Sequence, residues 1–256
     1  MTAKLSSDPN PYRGHQGRNV KSRTRRVARA VLYSIAAAYL LLLCFPQPLF
    51  AHQVTYRNFM VHAREPIDSD IIAVLDRAES RLAASPINDH AVKPRIFLAN
   101  STRLYASFSL HLGASSFGKG YAALPTANVF INRHDLAQDL VFRDAPANNA
   151  RSLSGVIAHE TTHLLIRNRV GYWRNLTMPD WKKEGYAEYV AGGSTLSHET
   201  GVKMWKARPD DPTGYRYFKY FMMVKYLLEH EKRSVDDLFT RDFDVDALAA
   251  KILQTL

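Results

Sequence analysis

The chain has 256 residues, a formal net charge of +10 and a single cysteine. This length suits one domain of about 200 residues behind an N-terminal leader, which is enough to bury a sizeable core. Residues 1–29 hold eight Lys or Arg side chains and one acidic side chain, so most of the positive charge lies in this tail. The charge therefore does not indicate nucleic-acid binding by the folded domain.

An apolar segment follows the basic tail. Residues 30–45 carry no charge, and the apolar character continues past two prolines to Ala51. A membrane span needs about 20 apolar residues, and the positive-inside rule places the preceding basic residues in the cytoplasm. We therefore predict a basic cytoplasmic tail (1–29), a transmembrane signal anchor or cleaved signal peptide (30–51) and an exported domain (52–256).

The two versions of the leader predict different locations. An uncleaved anchor gives a single-pass protein of the inner membrane, with its domain on the periplasmic side. A cleaved signal gives a secreted or periplasmic protein. In both versions the domain from His52 onward lies outside the cytoplasm.

The exported domain begins with alternating strand and helix patterns. A first strand is predicted around Tyr56–His62. A helix is predicted to begin at Pro66, with Asp68 as its cap and a regularly spaced apolar face. Arg95–Ala99 has the composition of a second strand.

The next segment is less regular. Residues 104–112 fit a helix or a strand, and His111 within them is interpreted as structural rather than as a metal ligand. Asn128–Asn132 predicts a short strand. Residues 143–151 are polar and predict a loop.

A metal-binding motif lies in the middle of the domain. His159-Glu160-Thr161-Thr162-His163 has the pattern H-E-x-x-H, within a run, Leu153–Arg167, whose apolar residues have nearly helical spacing. Positions four apart share one face of a helix, so both imidazoles can bind one ion. Glu160 is rotated from His159 by about 100° and would lie beside the ion, where a carboxylate can take a proton from water.

The motif also has a purely structural interpretation. H-E-x-x-H arises by chance in roughly one such sequence in a hundred, and its side chains can be polar groups satisfied by neighbours. A catalytic zinc takes three protein ligands and keeps a fourth position for water. Since the only cysteine, Cys44, lies in the apolar leader, the remaining ligand must be a histidine or a carboxylate.

A second predicted helix offers that ligand. Thr177–Asp180 has the features of a helix start, and Gly192 those of a stop. Glu184 and Glu188 share one face of this helix, which is a poor arrangement for two unpaired carboxylates. The arrangement is explained if Glu184 binds the metal and Glu188 hydrogen-bonds a ligand histidine. The alternative is a solvated acidic face beside two lysines.

The rest of the domain predicts further helices. Residues 194–213 form a polar stretch that is a candidate rim or lid, and His198 within it is interpreted as an exposed loop residue. Tyr215–Leu228 predicts a long aromatic-rich helix. A short helix is predicted from Ser234, and a final one over Val245–Leu253.

The two motifs together, His159-Glu160-x-x-His163 and Trp181-x-x-Glu184-Gly185-x-Ala187-x-Tyr189, resemble the gluzincin zinc metallopeptidases, particularly the minimal peptidase MA-like domains of bacteria. The resemblance is strong over 153–191 and looser over 54–235. It implies that Zn²⁺ is held by His159, His163 and Glu184. It also implies that Glu160 is the general base and that Glu188 holds the first histidine.

The resemblance has three further implications. The sheet edge near Gly120–Leu124 would bind the substrate backbone in extended form, although the residues fit an ordinary hairpin equally well. Tyr217, or Tyr220 as second choice, would stabilise the oxyanion. Lys182 and Lys183 depart from the apolar residues of many relatives, which suggests a different rim chemistry.

These observations predict an α+β, zincin-like fold. We expect an N-terminal mixed β-sheet, mostly antiparallel, with helices, then a C-terminal helical lobe and a zinc cleft between them. The expected function is zinc-dependent hydrolysis of peptide or protein substrates outside the cytoplasm. One alternative is a zinc-stabilised binding module, which would not need Glu160, and another is a hydrolase of a different bond. An intramembrane protease is disfavoured because Arg151, Arg167 and Arg169 bracket the motif.

Overall fold

A computed structural model describes residues 15–109 and 113–256, which divide into two compact units after Pro46. In the first unit, helix α1 spans His15–Cys44. Its segment Thr24–Cys44 has a mean hydropathy of 2.0 over 21 residues, which is long and apolar enough to cross a membrane. Proline disfavours a helical conformation in the residue before it, so the helix stops short of Pro46 and residues 45–51 lie outside it.

The second unit, residues 47–256, contains both strands and helices, which confirms the predicted α+β class. Its strands are β1 (His52–Tyr56), β2 (Phe59–Ala63), β3 (Arg95–Leu98), β4 (Gly118–Gly120), β5 (Asn128–Ile131), β6 (His134–Asp135), β7 (Leu140–Phe142) and β8 (Ala150–Ser152). Its helices are α2 (Asp70–Ala83), α3 (Thr102–Ala106), α4 (Leu153–Val170), α5 (Tyr172–Thr177), α6 (Asp180–Ala191), α7 (His198–Ala207), α8 (Arg216–Lys225), α9 (Val235–Thr240) and α10 (Val245–Leu253).

The main sheet has the strand order β1-β2-β3-β5-β4. Its outer pairs, β1 with β2 and β4 with β5, are antiparallel, and the inner pairs are parallel. Parallel pairing requires crossovers, and α2 provides the one between β2 and β3. The sheet is therefore mixed, as predicted, but not mostly antiparallel. Strand β4 does lie at an edge, but it ends at Gly120, so the rest of the predicted segment Gly120–Leu124 lies outside the strand.

The predicted first strand is wrong. Tyr56–His62 covers the end of β1, a two-residue turn and most of β2, with Tyr56 opposite Phe59. Arg57 in the turn has a φ of 52°, where Gly, Asn or Asp is the usual residue. The Arg-Asn pair is not a typical turn sequence, so the pattern predicts one continuous strand where the structure has a hairpin.

The main sheet packs differently on its two faces. Side chains of β3 and β5 alternate, and Ile96, Leu98, Val129 and Ile131 join the apolar residues of α2 and α4 in one core. The opposite face carries an aromatic stack, in which neighbouring ring centroids are 4.6–5.8 Å apart. The stacked rings are Phe50, Phe97, Phe108 and Phe130.

A second, three-stranded antiparallel sheet leads into α4. Its strands have two or three residues each, which is too short for a periodic pattern. The predicted loop over 143–151 therefore ends in a strand, β8, that the sequence analysis missed. Helices α5 and α7 were also missed, whereas those containing Leu153–Arg167, Asp180–Ala191 and Val245–Leu253 are confirmed.

Helix α6 packs between α4 and α8. A Cβ atom at Gly185 would lie 2.5 Å from the carbonyl oxygen of Tyr220 and 2.7 Å from Val224 Cγ2. Only glycine allows the two helix backbones to approach this closely. This contact sets the distance between α6 and α8 at the residue next to Glu184.

Candidate metal centre

Helix α4 is held firmly at its N-terminus. Ser152 Oγ accepts a hydrogen bond from Gly155 N at 3.1 Å, and Asp139 Oδ1 accepts one from Ser154 N at 2.7 Å. Both oxygens satisfy amides that a helix start leaves without partners, and Asp139 also places negative charge at the positive end of the helix. The rotation of α4, and with it the direction of His159 and His163, is set by these contacts.

Three potential ligand atoms meet between α4 and α6. His159 Nε2 and His163 Nε2 are 3.2 Å apart, and Glu184 Oε2 lies 3.3 Å from the first and 3.5 Å from the second. The two rings are nearly perpendicular. His159, His163 and Glu184 therefore form a group that could hold a metal ion.

The electrostatics of this group suit a cation. Burial alone would raise the pKa of the Glu184 carboxyl, but His163 and His159 lower that pKa well below its usual value. Burial alone would lower the pKa of His159, but Glu188, Glu184 and Glu160 raise it. The carboxylates thus favour positive charge at the point where the imidazoles converge.

The outer partner of His159 is a buried ion pair. Glu188 Oε1 lies 3.5 Å from His159 Nδ1, which is close enough for an ionic interaction but not aligned as a hydrogen bond. Arg151 donates two hydrogen bonds, of 3.0 and 2.5 Å, to the same carboxylate and one more to the Gly193 carbonyl. The Glu188 side chain is 3% exposed, and the paired Arg151 compensates the cost of burying its charge.

Glu160 faces the edge strand of the main sheet. Its Oε2 atom accepts a hydrogen bond from Gly120 N at 2.6 Å. A Cβ atom at Gly120 would lie 3.1 Å from the Glu160 carbonyl oxygen and 3.2 Å from Oε2, so glycine lets strand β4 run directly over the carboxylate. This contact gives Glu160 a fixed position beside the two histidines.

The three potential ligands and the charged side chains around them line one cavity of about 270 Å³, together with Glu160. Tyr217, at the start of α8, lines the cavity, and its side chain is 43% exposed. Burial raises the pKa of Tyr217, and the nearby Glu184 carboxylate adds to this effect, so the phenol stays protonated at neutral pH. Tyr220 does not line the described part of this cavity, and its carbonyl packs against Gly185 instead.

Other predicted positions lie away from the cavity. Lys182 is buried, and its ammonium contacts the Arg241 carbonyl and the rings of Trp181 and Phe243. Lys183 pairs with Asp180. Neither lysine lines the cavity in the described structure, so the predicted change in rim chemistry does not arise from them.

The two remaining histidines of the sequence analysis have different outcomes. His198 is exposed, as predicted, but it begins helix α7 rather than lying in a loop. Its ring lies 6.0 Å from the Phe218 ring, measured between the ring centres. His111 lies outside the described residues.

The sequence analysis missed several residues of the cavity. Arg151 comes from β8, 37 residues before its partner Glu188, and Thr195 follows α6. Arg143 follows β7. Only Arg151 has a signal in the sequence, because two carboxylates on one face of a helix need a nearby cation, but nothing in the spacing indicates which one.

Comparison with known proteins adds no assignment. No protein-family model matches this chain, and no curated protein matches it significantly.

Proposed function

We propose that this protein is a zinc metallopeptidase of gluzincin type, with a zincin-like fold and its zinc cleft between the main sheet and the C-terminal helices. The convergence of His159 Nε2, His163 Nε2 and Glu184 Oε2 carries this proposal. The position of Glu160, buried beside these ligands and on the same cavity, favours an enzyme over a zinc-stabilised binding module.

The spacing of the three ligand atoms supports zinc. Zinc binds histidine nitrogen and carboxylate oxygen at roughly 2.0–2.2 Å in tetrahedral sites, which places neighbouring ligand atoms about 3.3 Å apart. The distances of 3.2, 3.3 and 3.5 Å agree with this value. Two nitrogens and one oxygen form a donor set typical of catalytic zinc, with a fourth position for water.

Each group of the site can have a separate role in peptide hydrolysis. When bound, zinc would act as a Lewis acid that polarises the scissile carbonyl and makes water more acidic. Glu160 takes a proton from the attacking water as the new carbon–oxygen bond forms. It then gives the proton to the leaving amine as the carbon–nitrogen bond breaks. Tyr217, which remains protonated, donates a hydrogen bond to the oxyanion.

Strand β4 offers a place for the substrate backbone. It pairs only with β5 in the described sheet, and it lies over Glu160. An open strand edge can bind any extended peptide through main-chain hydrogen bonds, with little demand on sequence. A substrate bound there would lie along the cavity, which suits a peptidase of broad backbone recognition.

Peptide cleavage with and without chelator tests this proposal. The full-length chain, purified in detergent and supplied with one equivalent of zinc, is expected to cleave peptides in a mixture of diverse sequences. Treatment with a chelator should abolish cleavage, because metal binding depends on the His159–His163–Glu184 group, and added zinc should restore it. Mass spectrometry identifies the products. Absence of cleavage at any zinc level, or cleavage that a chelator leaves unchanged, would overturn the proposal.

We also propose that α1 anchors the protein in the inner membrane with the second unit on the periplasmic side. Seven large apolar residues between Val27 and Leu41 are 50–69% exposed, as expected for a helix surrounded by lipid. The protein should therefore remain in the membrane fraction through a high-salt wash, because salt screens charge but does not weaken apolar burial. Release into the soluble fraction, or a mature N-terminus near His52, would instead indicate a cleaved signal.

A further inference from the structure

A second cavity adjoins the candidate metal centre. It has a volume of about 460 Å³ and shares three lining residues, Arg143, Thr195 and Tyr217, with the metal-site cavity. Arg216, at the start of α8, also lines this second cavity. A peptide bound at the metal centre would thus have a neighbouring cavity for one of its side chains or for its terminus.

The charge in this second cavity is positive. Arg143 and Arg216 line it, and no Asp or Glu lines it within the described residues. The carboxylates of the metal-site cavity are already engaged, since Glu160 bonds Gly120 N, Glu184 meets the two histidines and Glu188 is held by Arg151. These two cavities therefore hold no spare acidic group for Arg143 or Arg216 in the described structure.

Arg143 is held in place without a counter-ion. Its Nε donates to the Asn148 carbonyl at 3.0 Å, and its guanidinium lies 4.6 Å from the centre of the Phe117 ring. In the part of the chain that the structure describes, no carboxylate lies within ion-pair distance of it, whereas Arg151 and Arg77 each pair with one. Burial and the nearby Arg151 lower the pKa of Arg143, but a guanidinium still remains charged.

Such a group is well prepared to bind an anion. The guanidinium fork matches a carboxylate with two parallel hydrogen bonds, and stacking on an aromatic ring limits the entropy lost on binding. Folding has already removed part of the Arg143 guanidinium from water, so this part of the desolvation free energy does not oppose binding. An incoming carboxylate would compensate this partly buried charge, which a neutral amide could do only weakly.

We propose that Arg143, assisted by Arg216, binds a substrate carboxylate next to the scissile peptide bond. This inference rests on the proposed peptidase function and specifies its substrate class. The carboxylate can belong to a Glu or Asp side chain or to the C-terminus of the peptide, since both present the same pair of oxygens. The first source describes an endopeptidase with an acidic preference, and the second describes a carboxypeptidase or dipeptidyl carboxypeptidase.

Matched peptides separate these two sources. A parent peptide is compared with variants that carry Glu or Gln at single positions near the scissile bond. Each peptide is tested with a free and with an amidated C-terminus. A charged hydrogen-bonded pair is typically worth a factor of about 10–100 in kcat/KM over its neutral counterpart. Selectivity for Glu over Gln would assign the side chain, and selectivity for the free acid over the amide would assign the terminus.

The variant Arg143→Gln should lower the ratio of kcat/KM for the acidic peptide to kcat/KM for the matched neutral peptide to about one. Arg133→Gln is the matched control, because Arg133 also lies over a phenylalanine ring, 4.9 Å from the centre of Phe142, but lines neither cavity. This control should keep the selectivity of the parent. Equal cleavage of acidic and neutral peptides by the parent, or undiminished selectivity in Arg143→Gln, would overturn the inference.

Binding measurements keep this inference distinguishable from the peptidase proposal. Calorimetry on the Glu160→Gln protein gives the affinities of the acidic and neutral peptides without turnover. A Kd ratio that favours the acidic peptide and disappears with Arg143→Gln supports the carboxylate site even if no hydrolysis is found. Hydrolysis by the parent together with equal Kd values and equal rates would retain the peptidase and remove the carboxylate site.

Discussion

Glu160→Gln is expected to lower the rate of peptide hydrolysis by about 10²–10⁴-fold while the zinc content and the melting temperature stay close to those of the parent. Glutamine has nearly the same shape and can still accept the hydrogen bond from Gly120 N, which is 2.6 Å long in the parent. It cannot accept the proton of the attacking water. The measurement is kcat/KM on a cleaved peptide, with metal analysis on the same samples.

Glu188→Gln provides an informative comparison. It can retain a contact with His159 Nδ1, but it leaves Arg151 without the anion that now compensates its charge. Activity should fall by roughly 10–100-fold, which is typical when an outer partner of a metal ligand is changed. Unlike Glu160→Gln, it should also lower the melting temperature, because a buried charge is left unpaired. A Glu160→Gln protein as active as the parent would mean that the zinc has a structural role.

Glu184→Ala is expected to lose most of the bound zinc. Two histidines on one helix remain, and they are too few ligands for tight binding at a catalytic site. The loss in affinity should exceed the roughly 10–100-fold loss expected for a change at Glu188. His163→Ala should behave in the same way, since its Nε2 atom occupies another corner of the same triangle. Competition with a chromophoric chelator measures the affinity.

Asp180→Ala is the matched control for this metal loss. Asp180 lies on the same helix as Glu184, but its side chain is 78% exposed, pairs with Lys183 and is not part of the group that could hold a metal. This variant should bind one zinc ion per chain with the affinity of the parent. Unchanged zinc binding in Glu184→Ala would refute its assignment as a ligand and direct attention to Glu188, the other carboxylate on this face of α6.

The local part of the site could be predicted because it depends on helix periodicity. His159 and His163 are one turn apart on α4, and the structure brings them within 3.2 Å of each other. Glu184 and Glu188 lie on α6, whose predicted stop at Gly192 is confirmed. Two helices with defined faces leave few ways to bring their polar side chains together.

The remainder depends on contacts that no local pattern encodes. Arg151 reaches Glu188 from a three-residue strand, and Arg143 reaches the cavity from the end of another. Lys182 was predicted to contribute to the rim but does not line the cavity. It is buried, with its ammonium against aromatic rings. A long aliphatic stem allows a lysine to occupy either environment, so its residue type alone could not decide.

In the main sheet, the strands could be predicted from the sequence but their pairing could not. Arg95–Leu98 and Asn128–Ile131 were recognisable as strands, but their parallel pairing is set by the crossovers that connect them. The hairpin at Arg57 was missed because its turn lacks the usual residues. The α+β class followed from the number and type of elements, and the direction of each strand did not.

A zinc titration followed by peptide cleavage shows whether zinc and Glu160 act together in catalysis. The metal-free, full-length protein is supplied with increasing zinc, and the cleavage rate is measured at each ratio for the parent and for Glu160→Gln. In the parent, we expect the rate to rise linearly and to level off at one zinc per chain. In Glu160→Gln, we expect a baseline rate throughout, although that variant also binds one zinc ion. Cleavage that does not depend on zinc, or an equal rise in both proteins, would contradict a catalytic role of the site.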